Sequence, residues 1–170
     1  YGGAVTAILL AVMTIAVNAQ PAIAQSRGDV VGYQSAQVKA AFLHRLPRFI
    51  RWQDGRTATH FCFDQNSDVM ETFIILAEAK NDTASVSLLE NGDDSTKCDV
   101  FFTVNDQITN LAPNQLLVSD RKGFATQGGM IELTRKGGRL GLNVNLDSLK
   151  TGNLSANSQL LKLANVVSAD

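Results

Sequence analysis

The chain has 170 residues, of which 15 are basic and 16 acidic, so its formal net charge at neutral pH is -1. This balance, without a polybasic run, gives no surface that could neutralise a row of phosphates, and we expect no nucleic-acid partner. The length suits one hydrophobic core, so we predict a single domain.

The chain begins with an uncharged apolar run, residues 4–17, that is typical of a secretory signal peptide. The run is shorter than the ~20 residues that span a bilayer, and Ala22 and Ala24 are the small residues that a signal peptidase accepts. We predict that residues 1–24 are a signal peptide, N-terminally truncated because no Lys or Arg precedes the run. Its cleavage would leave a periplasmic protein without stable membrane insertion, and an uncleaved anchor is the alternative.

Residues 25–34 are polar and lack periodicity, and we interpret them as a mature N-terminal tail. An amphipathic helix is predicted over 36–52, because apolar residues recur there at helical spacing opposite a basic face. Pro47 lies inside this segment, so we expect a kink near Leu43 or two shorter helical pieces.

Short runs of β-branched and apolar residues predict strands in the middle of the chain. One helix, with apolar positions from Val69 to Ala77, separates the first two of them. The predicted strands cover residues 59–64, 85–89, 100–104 and 116–119.

The last third of the chain predicts an antiparallel hairpin, with strands 130–134 and 140–145 around a glycine-containing turn. A final helix is predicted over 155–167. Because helices alternate with the early strands and the hairpin comes late, we predict an α/β fold. Its mostly parallel sheet ends in a C-terminal antiparallel hairpin, with helices on both faces, in a single domain over 35–168.

The titratable side chains do not form the pattern of an enzyme or a metal centre. His44 and His60 lack the spacing of a zinc site, and no Gly-x-Ser-x-Gly motif is present. The glycine pairs 128–129 and 137–138 fit turns better than phosphate-binding loops. We therefore expect no catalytic activity, no metal and no cofactor.

Two further features are open to more than one interpretation. Cys62 and Cys98 are the two cysteines of the chain, and in an exported protein they favour a disulfide, with two separate buried thiols as the alternative. Arg48 and Arg51 beside Trp52 concentrate positive charge near the end of the first predicted helix. This cluster could contact an acidic partner or an anionic ligand, or it could be a solvated helix face.

Four segments near the two ends of the mature chain form a set of recognisable motifs. The N-terminal part reads KAAFL at 39–43 and FIRW at 49–52. The C-terminal part reads GGMIEL at 128–133 and GRLGLNVNLDSLKTGNLSANSQLLKLANVV at 138–167. With Cys62 and Cys98 between them, these segments resemble the YfiR-like family of periplasmic proteins and follow its order of elements over nearly the whole mature chain.

The resemblance implies a non-catalytic periplasmic regulatory protein. Such a protein contacts the periplasmic part of an inner-membrane diguanylate cyclase and represses it, which lowers cyclic di-GMP signalling and biofilm formation. The resemblance also implies a homodimer. Some members carry a second cysteine pair where this chain has Leu133 and Leu140, so a redox switch would rest on Cys62 and Cys98 alone.

The alternative function is a periplasmic small-molecule-binding sensor domain. Its pocket would lie at the ends of the parallel strands, near Asn143, Asn145 and the glycine pair 128–129. The candidate partner- or ligand-binding residues are therefore Arg48, Arg51, Trp52, Asn143 and Asn145.

Overall fold

A computed structural model describes residues 27–90, 93–105 and 112–169 of the chain. The predicted signal peptide, residues 1–24, lies outside the described residues. Within the described ranges the chain forms a mixed α/β fold in one compact domain, as predicted, with a seven-stranded sheet and a small two-stranded sheet.

The first helix differs from the prediction at both ends. Helix α1, Arg27–Arg45, begins inside the segment that we interpreted as a tail, where no proline opposes helix formation. It ends before Pro47, because a proline ring clashes with the preceding turn and has no N–H to donate. Instead of a kink near Leu43, a 3-10 turn, Leu46–Phe49, follows, and strand β1, Ile50–Trp52, takes the place of the predicted helix end.

The remaining elements follow in chain order. They are β2 His60–Phe63, α2 Asp68–Ala79, β3 Ser85–Leu88, β4 Val100–Phe102, β5 Leu116–Ser119, β6 Ile131–Lys136, β7 Arg139–Asn145, α3 Leu146–Thr151, β8 Leu154–Ala156, α4 Ser158–Leu163 and β9 Asn165–Val167. The large sheet has the strand order β3-β2-β4-β5-β6-β7-β9, and β1 pairs with β8 in the small one.

The directions of the strands confirm the predicted topology. Strands β2 to β6 are parallel to one another, whereas β6 and β7 form the antiparallel hairpin. The hairpin turns at Gly137 and Gly138, whose φ angles are 57° and 78°. Positive φ at both central residues is the geometry that twisted two-residue hairpins require, so this glycine pair serves the turn.

Aromatic residues fill the core between α2 and the sheet. Phe73 of α2 is fully buried, and its ring centroid lies 4.6 Å from that of Phe61 and 5.7 Å from that of Phe63. Phe61 and Phe63 are two residues apart on β2, so both side chains point to the same face of the sheet. Phe102 of β4 continues the cluster, with its centroid 5.9 Å from that of Phe63.

The C-terminal segment does not form the single helix predicted over 155–167. It divides into β8, α4 and β9, because two strand pairings with distant parts of the chain replace helical hydrogen bonds. The Asn157 side chain accepts a hydrogen bond from Leu160 N at 3.0 Å and so starts α4 after β8. The β-branched pair Val166 and Val167 then lies in β9, parallel to β7.

Cys62 and Cys98 form the disulfide that we predicted. Their Cα atoms are 5.7 Å apart, and both residues are buried. The bridge joins β2 to the residue two positions before β4. It therefore links two neighbouring parallel strands that are separated in the chain by α2 and β3.

Candidate functional site

The predicted site residues lie in two separate places. Arg48 and Arg51 are exposed beside the small β1–β8 sheet, and both line a shallow cavity of about 230 Å³. Trp52 is only 4% exposed, and its indole N–H donates to Asn114 O at 2.9 Å. The tryptophan therefore anchors β1 in the core, while the two arginines face outward.

The positive charge of this first place is partly neutralised. Arg56 donates from Nε to Asp54 Oδ2 at 2.7 Å, and it also approaches Asp99 Oδ1 at 3.4 Å. The backbone N–H of Arg56 holds the pKa of Asp54 below its ordinary value; desolvation opposes this effect, and the Arg56 side chain adds to it. Within the described ranges, Arg48 and Arg51 have no such carboxylate partner. Their charge stays available to an outside group.

Asn145 has a structural role in the second place. It is fully buried, donates from Nδ2 to Ala125 O at 2.9 Å and accepts from Ser148 N at 3.0 Å. The second bond caps α3, so the amide holds the end of β7 against the segment after β5. Asn143, two residues earlier, is half-buried and accepts from Asn165 Nδ2 at 3.2 Å.

The glycine pair 128–129 closes a turn. Gly128 has a φ of 97°, and its carbonyl oxygen accepts from Ser148 Oγ at 3.0 Å. A Cβ added at Gly129 would lie 2.3 Å from carbon atoms of the Phe124 ring. Both glycines are thus needed for backbone shape and close packing in this turn.

Asn143 instead lines a cavity of about 730 Å³ between α1, the segment after β5 and the β6–β7 hairpin, which we call the hairpin cleft. This volume lies within the range of about 300–1,000 Å³ that is usual for small-molecule sites. Lining residues come from all three elements: Ser35, Val38, Lys39, Asp120, Lys122, Gly123, Thr126, Glu132, Leu133, Thr134, Arg135, Gly138, Leu140 and Asn143.

One ion pair lies in the wall of the hairpin cleft. Lys39 Nζ of α1 lies 2.5 Å from Asp120 Oδ2, directly after β5, and both side chains are about three-quarters buried. The pair ties the helix to the carboxyl end of a central parallel strand. Its two charges cancel, so neither is free to hold a charged ligand alone.

A buried carboxylate shapes the loop on the other side. Glu132 of β6 is 3% exposed, and its two oxygens accept from Gly123 N at 3.1 Å and Ala125 N at 3.2 Å. A buried carboxylate is stable only when such donors satisfy it. By binding both amides, Glu132 fixes the loop that carries Lys122 at the cleft.

The sequence reasoning missed these cleft residues. Lys39, Asp120 and Glu132 are far apart in the chain, and each has a common residue type. One signal was present: Glu132 stands inside the apolar run 130–133, where an acidic side chain in a buried strand indicates a carboxylate satisfied by the protein itself.

Hydrogen bonds to the Asp64 side chain connect the carboxyl ends of β2 and β4. This carboxylate accepts from Val104 N at 3.0 Å, from Asn105 N at 3.2 Å and from the Thr103 hydroxyl. The strand order reverses between β2 and β4, which is where open α/β sheets usually bind ligands. Here the acidic side chain at that point is engaged by the protein's own loop.

The two histidines also contact protein groups. His44 Nε2 lies 2.7 Å from Asp82 Oδ2, and His60 Nε2 lies 2.8 Å from Ser87 Oγ. Across residues 27–90, 93–105 and 112–169, no group of three or more His, Cys, Asp or Glu side chains could hold a metal ion. The helices in these ranges include none long and apolar enough to cross a membrane.

The comparison with protein families identifies the class. The model of the YfiR/HmsC-like family matches residues 36–165, from the middle of α1 to the first residue of β9. The chain therefore belongs to the YfiR/HmsC-like family, as the sequence motifs indicated. This family is regulatory and is known for periplasmic regulation of diguanylate cyclases. No curated protein matches the chain significantly.

Proposed function

We propose that the protein is a non-catalytic periplasmic regulator that represses an inner-membrane diguanylate cyclase by direct contact. Lower cyclic di-GMP signalling and less biofilm would follow. The family match over residues 36–165 is the observation that carries this proposal. The Cys62–Cys98 disulfide supports the periplasmic address, because disulfides persist in oxidising compartments.

Arg48 and Arg51 are the surface residues that we assign to the partner contact. They are exposed, they line the same shallow cavity beside β1, and they have no carboxylate partner in the described part of the chain. Exposed like charges that face a complementary surface increase the association rate and favour the correct orientation. The partner surface would accordingly be acidic.

Binding to the cyclase tests the proposal. The mature protein would be mixed with the periplasmic domain of an inner-membrane diguanylate cyclase from the same organism, and affinity would be measured by calorimetry at two salt concentrations. Cyclic di-GMP would be measured in cells with and without the protein. We expect a complex, and a rise in cyclic di-GMP when the protein is deleted. Absence of both results would overturn the function.

Charge reversal tests the assigned surface separately. Arg48→Glu with Arg51→Glu should weaken the complex by about tenfold or more, because two favourable charge contacts become repulsive. Lys136→Glu with Arg139→Glu on the hairpin turn is the matched control, since these cations are also exposed. Equal affinity for both double variants would show that the partner docks elsewhere.

Light scattering on the same samples tests whether the protein forms the proposed homodimer.

The hairpin cleft favours a second candidate function, a periplasmic small-molecule-binding sensor domain. Its volume and its mixture of apolar and charged walls are those of a ligand site. A thermal-shift screen with nucleotides and amino acids tests this candidate. A compound that binds the native state raises the melting temperature, and a screen without any stabilising compound would count against it.

A further inference from the structure

The hairpin cleft carries a surplus of positive charge. Three cations line it, Lys39, Lys122 and Arg135, against two carboxylates, Asp120 and Glu132. Asp120 is paired with Lys39, and the Glu132 oxygens accept from backbone amides. In the described part of the chain neither carboxylate forms an ion pair with Lys122 or Arg135, and the three cations exceed the two carboxylates by one charge.

Lys122 and Arg135 are therefore the groups that can bind an incoming anion. Both side chains are exposed, and within the described ranges neither has an ion pair or hydrogen bond. They come from different elements, the loop after β5 and strand β6. An anion between them would bridge the two walls. A guanidinium and an ammonium both bind carboxylate, sulfonate or phosphate oxygens.

The same cleft has an apolar wall that is not fully covered by protein. Val38 of α1 is 51% exposed, although it lines the cavity with Leu133 and the half-buried Leu140. Apolar surface of this kind gains free energy when a ligand removes it from water. The cleft thus combines an apolar wall with free positive charge.

From this combination we infer that the hairpin cleft binds a small amphipathic organic anion. Its acidic group would lie at Lys122 and Arg135, and its hydrocarbon or aromatic body against Val38, Leu133 and Leu140. The inference rests on the second candidate function, the sensor domain, and names its ligand class. It does not depend on repression of the cyclase.

A fluorescent anion with an apolar body provides the first probe. Anilinonaphthalene sulfonate would be titrated into the full mature protein, with circular dichroism to show that each variant is folded. Octanoate, 1-octanol and octylamine would then compete with the dye. All three have a linear chain of eight carbon atoms, and they differ in charge. We expect saturable binding of one dye per chain and displacement by octanoate at concentrations about tenfold lower than by 1-octanol.

Substitutions at the cleft give the second arm of the test. Lys122→Ala and Arg135→Ala should each weaken dye and octanoate binding about tenfold at low salt, with a smaller effect at high salt because exposed charges are screened. Val38→Ser should weaken the binding of both the dye and octanoate, without changing the preference for octanoate over 1-octanol. The matched control is Lys136→Ala with Arg139→Ala, on the same hairpin but outside the cleft lining.

Each outcome decides a different part of the inference. Equal displacement by octanoate and 1-octanol, or equal losses in cleft and control variants, would overturn the anionic ligand class while leaving an apolar sensor pocket. Failure to observe saturable dye binding would overturn the ligand class, whereas the sensor function is judged by the thermal-shift screen with nucleotides and amino acids. Repression of the cyclase is judged by its own binding experiment.

Discussion

Removal of the Cys62–Cys98 disulfide should cost a large share of the stability of the domain. The two cysteines are separated by 36 positions in the chain. A cross-link that closes a loop of this length removes about 13 cal/mol/K of chain entropy from the unfolded state, which is about 4 kcal/mol at 25 °C. The free energy of unfolding of a typical domain is about 5–15 kcal/mol, so the bond supplies a substantial part of it.

Reducing the disulfide in the protein of unchanged sequence separates the effect of the cross-link on stability from the effect of side-chain packing. The protein would be unfolded in urea with a reductant, refolded with its thiols reduced, and compared with the oxidised protein by urea titration and circular dichroism. Mass measurement under non-reducing conditions would first show the bond. We expect the free energy of unfolding to fall by about 4 kcal/mol on reduction.

A second variant separates the cross-link from the buried sulfur atoms. Cys62→Ala with Cys98→Ala removes two side chains that are 1% and 3% exposed, so it should be less stable than the reduced native sequence. A difference below about 1 kcal/mol between oxidised and reduced protein would refute the loop-closure argument. Two free thiols in protein purified from periplasm would refute the bond itself.

Three substitutions test packing and hydrogen bonding that were described above. Gly129→Ala should lower the free energy of unfolding by about 1–3 kcal/mol, because its Cβ would collide with the Phe124 ring; thermal unfolding measures the loss. Trp52→Phe should cost about 1–2 kcal/mol in urea titrations, since Asn114 O loses a buried donor. Asn145→Ala should cost about 2–3 kcal/mol, because it removes a helix cap and leaves two backbone groups without their partner. A neutral effect in any of these would contradict the corresponding contact.

The elements with strong local patterns could be predicted from the sequence. Strand β5 has the predicted bounds, and the hairpin follows from two apolar runs around a glycine pair. Local patterns failed where distant pairing decides the structure. The leucines from 160 to 163 have helical spacing, but β8 and β9 form because β1 and β7 offer them hydrogen-bonding edges. Helical periodicity cannot show a partner strand that lies elsewhere in the chain.

The candidate site was less predictable than the fold. Arg48 and Arg51 were proposed because they cluster in sequence, and Asn143 was proposed because it lies near the expected ends of the parallel strands. The hairpin cleft combines α1, a loop and a hairpin, so its charges meet only in three dimensions. No sequence pattern around Lys122 or Arg135 distinguishes either residue from an ordinary solvated cation. Their availability depends on which carboxylates are already engaged.

The pairing of β1 with β8 sets an order for the completion of folding. Trp52 stands opposite Leu154 in this pair, across most of the domain's length. Such a pairing has a high contact order, so during synthesis the early strand waits until nearly all of the chain has emerged. Strands β2 to β7 of the large sheet can pair before β8 emerges, and the β1–β8 and β7–β9 pairings then complete the domain. Because Trp52 is the single tryptophan of the chain, its fluorescence would report this closing step without any added label.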